Sequence, residues 1–185
     1  MSETTGEPEV PILPDLAAIV QVLNRNRVAY VLIGGSAAQF SVPSLVTYDV
    51  DFSPAFDQDN LQRLSMALTE LGARIRTEAV PEGLPFDHDG ASLGRSKMWN
   101  LQCAYGLLDI AFEPAGGGYG YLAQRARVVT VRDIEIPVAD LADVVASKRL
   151  ANRPKDQLVL PQLEAALAER NRDAQEPRAA SPGAR

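Results

Sequence analysis

The sequence contains a single cysteine, a single histidine and no apolar run that approaches the length of a membrane-spanning helix. One thiol excludes both a disulfide framework within the chain and a cysteine-rich zinc site, and it suits a reducing compartment. A membrane span needs about 20 apolar residues, and the acidic, proline-broken start does not resemble a secretory signal peptide. The sequence therefore predicts a soluble cytoplasmic protein.

Basic residues are also too few to balance the acidic ones. The net charge is -6 and the pI is about 4.8, which argues against binding polyanions over the whole surface but leaves room for a local basic groove. A length of 185 residues, with 46% hydrophobic and 23% charged residues, is typical of one globular domain. We expect this domain over residues 15–170, after a flexible arm over 1–14 and before a disordered tail over 171–185.

The pattern of apolar residues predicts an α+β fold, in which helices pack on one mixed sheet. Helical spacing after Asp15 predicts a first helix, and an apolar run over 29–33 predicts a strand that ends at a Gly34-Gly35-Ser36 turn, with the next helix starting at Ala37. A leucine stripe before Gly72 predicts a further helix. Further predicted elements are strands over 46–52 and 73–77, a long surface loop over 78–96, hairpins over 98–112 and 128–138, and two helices that separate near Pro154.

Three aspartates lie in predicted strands, where a carboxylate is costly to bury. Asp49 and Asp51 are separated by one residue, so they project from the same face of the sheet about 7 Å apart at the backbone. Asp109 interrupts an apolar run, and a carboxylate there must be paired, hydrogen-bonded or bound to a cation. If the two strands are neighbours, the three carboxylates converge, and Mg²⁺ ions relieve their repulsion. Two such ions about 4 Å apart can activate an attacking hydroxyl and stabilise a leaving oxygen.

The glycine turn precedes this aspartate pair at a strand-to-helix junction. Glycines at such a junction let a phosphate approach the backbone closely, and a helix N-terminus offers free N–H groups. The hydroxyl of Ser36 adds a donor. Each feature alone is common in proteins without such a site. Their combination in this order, with a third aspartate downstream, predicts a metal-phosphate site.

Lys148 occupies a position where the spacing of its helix predicts an apolar residue. One interpretation is a structural lysine whose end reaches solvent, and the other is a ligand of a β- or γ-phosphate. Arg149, Arg153 and Lys155 extend the basic cluster, which is also typical of a solvated helix end. Asp156 can orient one of these cations through an ion pair.

Several motifs, taken in order, resemble the DNA polymerase β-like nucleotidyltransferase superfamily: Gly35-Ser36, Asp49-x-Asp51 and Asp109. The runs over 99–101, 105–109 and 146–156 resemble its AbiEii-type toxin branch, which includes the MenT-like toxins. The resemblance covers about residues 15–168. It implies a nucleotidyltransferase fold and the transfer of a nucleoside monophosphate from an NTP to an acceptor hydroxyl. Several members of the family modify the 3′ end of tRNA and so block aminoacylation.

The resemblance also implies roles for individual residues. By this analogy, Asp49 and Asp51 hold two Mg²⁺ ions, and Asp109 helps to bind the ion that activates the acceptor hydroxyl. On the nucleotide side, the glycine turn and Ser36 grip the triphosphate, Lys148 binds it from the opposite side, and we expect Gly34, Arg149 and Arg153 to belong to the same site. The family further implies a cognate antitoxin that neutralises the toxin.

Two positions beside the aspartate pair bear on this analogy. Relatives often carry an arginine four residues before the first metal aspartate, and this sequence has Leu45 there. Thr47 occupies the position where some family toxins carry a Ser or Thr that the antitoxin kinase phosphorylates. A phosphate on Thr47 would crowd the metal site with negative charge, so the resemblance implies a regulatory phosphosite.

Two other functions remain open at this point. One keeps the chemistry but uses a small molecule or a protein side chain as acceptor, and the other is a catalytically silent module that binds nucleotide or another protein. Five further residues are interpreted as structural: His88 as a surface residue, Trp99 and Tyr105 as core residues, and Tyr119 and Tyr121 as part of an ordinary loop.

Overall fold

The computed structural model of the protein describes residues 13–175, which form one eight-stranded sheet and seven helices. The strands are β1 (Tyr30–Leu32), β2 (Asp49–Pro54), β3 (Arg74–Thr77), β4 (Val80–Leu84), β5 (Met98–Cys103), β6 (Gly106–Ala111), β7 (Arg127–Val131) and β8 (Ile134–Val138). The helices are α1 (Leu16–Arg25), α2 (Gly34–Ala38), α3 (Gln58–Glu70), α4 (Gly90–Leu93), α5 (Tyr119–Leu122), α6 (Leu141–Ala151) and α7 (Pro154–Gln175).

The two strands that carry the aspartates are neighbours in the middle of the sheet. The strand order is β4-β3-β5-β6-β2-β1-β8-β7. Strand β2 runs parallel to β6 and β1 runs parallel to β8, whereas the other pairs are antiparallel. Parallel neighbours need a long connection, which here contains α3, β3, β4, α4 and β5. The mixed sheet with packed helices confirms the expected fold class.

The helices that support this sheet follow the predicted apolar spacing. Helix α1 starts after Asp15, whose carboxylate accepts the N–H of Ala18, and helix α3 starts after Asp57, which caps it in the same way. Both helices bury one face against the sheet. The buried residues include Ile19, Val20, Leu23, Leu61, Leu64, Leu68 and Leu71.

The segment 78–96 is not the unstructured loop that its prolines and glycines predict. It contains the edge strand β4 and the short helix α4, which begins with a capping box between Asp89 and Ser92. Proline is tolerated in an edge strand because one side of that strand needs no ladder hydrogen bond, and Pro81 lies in β4. Gly83 adopts a φ of +75° there and lies close to the backbone of β3. The prediction missed the edge strand for these reasons.

Two elements beside the aspartate pair begin at different residues than predicted. Helix α2 starts at Gly34 instead of Ala37, so the glycine turn is the first turn of the helix. Strand β2 starts at Asp49 instead of residue 46, because its partner β6 starts at Gly106 and the first pair in the register is Asp49 with Leu107. Residues 46–48 therefore precede the ladder, and the side chain of Val46 is 61% exposed.

The C-terminal part is helical, as predicted, with α6 and α7 separated at Asn152 and Arg153. Helix α7 continues to Gln175, past the boundary expected at residue 170. The rest of the expected arm and tail, residues 1–12 and 176–185, lies outside the described residues. Within the described range, none of the helices combines the length and the apolar character that crossing a membrane requires.

Candidate active site

The structure brings Asp49, Asp51 and Asp109 together at the centre of the sheet. In the parallel pair of β2 and β6, Asp51 lies directly opposite Asp109, and Asp49 lies opposite Leu107. One carboxylate oxygen from each aspartate lies within 4.8 Å of the other two. Residues opposite each other in a ladder project from the same face. This register explains how two sequence-distant segments form one acidic triad.

The acidic triad perturbs the ionisation of its central member. Burial, together with the neighbouring negative charges of Asp49 and Asp109, raises the pKa of Asp51 to about 7. Lys155 and a hydrogen bond from the Gly35 N–H act in the opposite direction. Without a further cation, the three carboxylates are thus not all readily ionised at neutral pH. This is the behaviour of a site that needs a counter-ion.

The glycine turn approaches the acidic triad as closely as the backbone allows. Gly34 has a φ of +59°, and a Cβ atom there would overlap the Asp51 carboxylate. A Cβ atom at Gly35 would lie 2.7 Å from Oγ1 of Thr47. Both positions therefore require glycine, because a side chain would displace Asp51 or Thr47.

Ser36 lies behind the acidic triad and hydrogen-bonds with its backbone. Its side chain is buried, its hydroxyl donates to the carbonyl oxygen of Asp49 at 2.9 Å, and it accepts the N–H of Asp51 at 3.1 Å. These two bonds tie helix α2 to the start of strand β2. The Ser36 hydroxyl thus braces the backbone beside the acidic triad, and the donation to phosphate expected from the sequence stays a prediction.

Thr47 contacts the acidic triad directly. Its hydroxyl donates to Oδ1 of Asp49 at 2.8 Å, and its side chain packs against Gly35. This hydrogen bond orients the Asp49 carboxylate. Leu45, at the position where relatives often carry arginine, lines the same cleft and contributes no charge.

Three cations at the junction of α6 and α7, here called the basic group, line the same cleft as the acidic triad: Lys148, Arg153 and Lys155. Lys148 is only 13% exposed, and its Nζ donates to Oδ1 of Asp156 at 3.0 Å. Nε of Arg153 donates to Oδ2 of the same carboxylate at 2.8 Å. Burial acts to raise the pKa of Asp156, but its bonds to Arg153 and Lys148 outweigh burial and hold that pKa below its ordinary value. Asp156 therefore holds both Lys148 and Arg153 in place, whereas the sequence suggested an ion pair with one cation of this cluster.

The other two predicted cations differ in their placement. Lys155 lines the cleft and is close enough to act on the charge of Asp51 and Asp109. Arg149 is not among the residues that line the cleft, and it pairs with Glu164 on the exposed side of the two helices. The structure thus places Lys155, and not Arg149, beside the acidic triad.

Arg76 contacts the third carboxylate, a role that its place in the sequence did not reveal. Its Nη2 atom lies 2.9 and 3.1 Å from the two oxygens of Asp109. The burial raises the pKa of Asp109, and the charge of Arg76 opposes that rise. Arg74 and Arg76 share one face of β3 by their spacing, but only the strand order β3-β5-β6 shows that this face meets Asp109.

One cleft with a volume of about 700 Å³ is lined by the acidic triad and by Gly34, Gly35, Thr47, Arg76, Lys148, Arg153 and Lys155. Met98 and Asn100 of β5 also line this cleft. Such a cleft combines carboxylates for divalent cations with lysine and arginine for phosphates.

The five residues interpreted as structural lie outside this cleft. His88 is half-buried and hydrogen-bonds with Ser65, and Trp99 stacks on Phe86 while its N–H donates to Leu93. Tyr105 is 42% exposed and is thus not a core residue. Tyr119 and Tyr121 belong to helix α5.

Comparison with known proteins supports the fold. No family model matches the chain, and no curated protein matches its sequence. Its structure is similar to the crystal structure of the lincosamide antibiotic adenylyltransferase LnuA with bound lincomycin, with a TM-score of 0.56 and 18% identity over 82% of this chain and 95% of that one. It is also similar to ANT(2")-Ia in complex with adenylyl-2"-tobramycin, with a TM-score of 0.52 and 11% identity over 86% of this chain and 89% of that one. The protein therefore has the nucleotidyltransferase fold.

Proposed function

We propose that this protein is a Mg²⁺-dependent nucleotidyltransferase that transfers a nucleoside monophosphate from an NTP to an acceptor hydroxyl. The observation that carries the proposal is the convergence of Asp49, Asp51 and Asp109 within 4.8 Å, beside the glycine turn and opposite a fixed group of cations. Neither the carboxylates nor the cations alone would favour this chemistry over an ordinary polar cleft.

The donor atoms of the acidic triad fit a hard divalent cation. Three carboxylate oxygens can ligate Mg²⁺, which keeps part of its hydration shell and shares the rest with phosphates. The raised pKa of Asp51 fits the same assignment, since a bound cation would offset the burial and the carboxylate repulsion that raise it. When bound, Mg²⁺ supplies charge stabilisation for the phosphoryl oxygens during transfer.

The basic group supplies the complementary site for the triphosphate. Lys148 and Arg153 are held by Asp156, so they present positive charge in a fixed geometry, and Lys155 adds a charge close enough to act on Asp51 and Asp109. Fixed charges stabilise a reaction best because they need no rearrangement during the step. The close backbone at Gly34 and Gly35 leaves room for a phosphate beside the carboxylates.

In the proposed step, the acceptor oxygen forms a bond to the α-phosphorus of the NTP. The bond from that phosphorus to the oxygen bridging the α- and β-phosphates breaks, and pyrophosphate leaves on the side of Lys148 and Arg153. The acceptor hydroxyl loses its proton to solvent. Asp109 holds the acceptor side of the site, and the chain contributes mainly positioning and charge stabilisation.

For the acceptor, we propose the 3′ end of tRNA, with the protein acting in the cytoplasm as the toxin of a toxin-antitoxin pair. The support is the resemblance of the run over 146–156 to the AbiEii-type branch. In this proposal, phosphorylation of Thr47 by an antitoxin kinase inactivates the enzyme. The Thr47 hydroxyl lies 2.8 Å from the Asp49 carboxylate, so a phosphate there would repel the acidic triad.

A small molecule is the second candidate acceptor, and two observations favour it. Both solved structures compared above are described with small antibiotics or their adenylyl derivative. The chain also carries a net charge of -6, which does not attract a polyanion such as tRNA except at a local basic surface.

Transfer of a labelled nucleotide distinguishes these acceptors. The protein is incubated with each α-³²P-labelled NTP and Mg²⁺, in separate arms with total tRNA and with a panel of aminoglycosides and lincosamides. Label on tRNA that Asp51→Asn abolishes supports the first acceptor, and label on a small molecule supports the second. If no arm is labelled while the protein still binds NTP, the silent nucleotide-binding module is the better interpretation.

A further inference from the structure

The ion pair between Arg76 and Asp109 has no part in the proposed transfer step, although it lies in the same cleft. Arg76 comes from β3, two strands away from β6, and neighbouring strands are about 4.8 Å apart. Its guanidinium therefore reaches across β5 at the level of Asn100, which is opposite Asp109 in the ladder. The two side chains are only 29% and 19% exposed, so solvent screens this pair less than a surface pair.

Arg76 engages both oxygens of Asp109 with one nitrogen. The distances from Nη2 are 2.9 and 3.1 Å, so this nitrogen lies between the two oxygens, where a chelated cation would also lie. Among residues 13–175, no other lysine or arginine lies within 4 Å of a carboxylate oxygen of the acidic triad. Arg76 is thus the cation in direct contact with the acidic triad.

The formal charges of the acidic triad and Arg76 limit how many divalent cations the site holds without nucleotide. When ionised, the three carboxylates carry a formal charge of -3, which one divalent cation and Arg76 balance completely. A second divalent cation would make the centre positive, and its repulsion with a guanidinium a few ångströms away is strong in a half-buried site. The negative charges of a bound triphosphate would remove that excess.

We propose that Arg76 takes the place of the second divalent cation on Asp109 until the nucleotide binds. The nucleotide-free protein then binds one divalent cation tightly, and the second binds together with the triphosphate, when Arg76 moves away from Asp109. This inference rests on the proposed metal site, and it adds the order in which cations and nucleotide bind. Arg76 is in this sense a positioning residue.

Arg74 provides a matched comparison on the same face of the same strand. Its guanidinium donates to the carbonyl oxygens of Glu82 and Gly83 and so ties β3 to β4. Its role is structural, since it does not line the cleft. If Arg76 were merely structural as well, replacing either arginine would lower stability without changing the number of bound cations.

The test counts bound Mn²⁺ ions on the nucleotide-free, full-length protein by electron paramagnetic resonance titration. Wild type and Arg74→Gln should bind one ion tightly, whereas Arg76→Gln and Arg76→Met should bind the second ion roughly tenfold or more tightly than wild type does. Two ions in one site also give a dipolar-coupled spectrum, which a structural role would not produce. Arg76→Met preserves the aliphatic volume, and circular dichroism checks that each variant is folded.

The outcomes separate this inference from the metal site itself. Suppose that wild type binds one Mn²⁺ ion, that Asp51→Asn loses it, and that the Arg76 variants bind no second ion. The role proposed for Arg76 is then wrong, whereas the proposed metal site is supported. A second ion that binds nucleotide-free wild type as tightly as the first also contradicts the inference. If wild type binds no Mn²⁺ at millimolar concentration, the metal site and the inference fail together.

Discussion

Gly34 packs directly against the carboxylate of Asp51, and this contact leaves no space for a side chain at position 34. Gly34 also has a φ of +59°, in the left-handed region, where a residue with a Cβ atom costs roughly 1–2 kcal/mol. Gly72 has nearly the same φ, +61°, but open space around its Cα atom. Replacing either glycine by alanine therefore strains the backbone, but only the replacement at Gly34 also creates a clash with the acidic triad.

Gly34→Ala should therefore abolish nucleotide transfer, whereas Gly72→Ala should only lower stability. We expect Gly72→Ala to lose about 1 kcal/mol of unfolding free energy with its kcat unchanged. Urea unfolding and transfer assays on both variants measure the two effects. Full activity of Gly34→Ala would show that Asp51 does not need its observed position.

Asp51→Asn should stabilise the metal-free protein above neutral pH while it removes activity. Because burial and two neighbouring carboxylates raise the pKa of Asp51 to about 7, the folded state holds this proton more tightly than the unfolded chain, whose pKa is about 4. Ionisation therefore destabilises the folded state as the pH rises from about 4 to about 7, and the full penalty is present above that.

The expected gain in unfolding free energy for Asp51→Asn is up to about 4 kcal/mol at pH 8 in EDTA, since one pKa unit corresponds to about 1.4 kcal/mol, with no gain at about pH 4. Thermal unfolding at both pH values measures it, and Asp173→Asn, an exposed change near the end of α7, is the control. Mg²⁺ should stabilise wild type and not Asp51→Asn. A variant less stable than wild type at pH 8 would mean that the Asp51 charge is already compensated.

Lys155→Ala should raise the KM for NTP, whereas Arg149→Ala should leave it nearly unchanged. Lys155 lines the cleft beside the acidic triad, but Arg149 pairs with Glu164 on the exposed side. A charged hydrogen bond to phosphate is worth about 1.5–3 kcal/mol, so we expect the KM to rise about tenfold or more for Lys155→Ala. Steady-state kinetics with a saturating acceptor measure this, and equal effects of both changes would contradict the assignment.

Asp156→Asn should lower both stability and nucleotide affinity. The buried carboxylate holds Lys148 and Arg153, and removing one partner of a buried ion pair costs about 3–5 kcal/mol. Because the folded pKa of Asp156 lies below its ordinary value, its contribution is present above about pH 4 and is lost as the pH falls through the folded pKa.

The stability difference between wild type and Asp156→Asn should therefore be largest near neutral pH and shrink in acid. Urea unfolding from pH 7 to pH 3 measures this. Glu164→Gln, which removes an exposed partner of Arg149, should change stability by less than about 1 kcal/mol. A difference between wild type and Asp156→Asn that does not depend on pH would argue against the ion pairs as its cause.

The acidic triad could be predicted from sequence because its chemistry is visible locally. An aspartate pair at a spacing of two defines a common sheet face, and an aspartate inside the apolar run of β6 must have a partner. The inward position of Lys148 followed in the same way from helical spacing. These inferences needed only the periodicity of one element at a time.

Arg76 could not be found in this way, because its role depends on which strands are neighbours. Its contact with Asp109 spans β5, and the order β3-β5-β6 is a property of the whole sheet. The hydrogen bonds of the Ser36 hydroxyl could not be predicted for a related reason: they depend on how closely the backbone of β2 approaches α2. Arg149 and Lys155 lie six residues apart, and only the packing of α6 on α7 decides which of them faces the cleft.

The parallel pairing of β2 with β6 has a consequence for the synthesis of the chain. The ribosome adds Asp49 and Asp51 well before their partner strand β6, because α3, β3, β4, α4 and β5 lie between β2 and β6. Contacts between such distant segments form late in folding, because a long loop must close first. A nascent chain that ends before Gly106 lacks the third carboxylate altogether, and the cations of α6 and α7 emerge later still. The complete cleft therefore cannot form before the start of α7 has been synthesised, so any activity that depends on it begins only after Lys155 has left the ribosome.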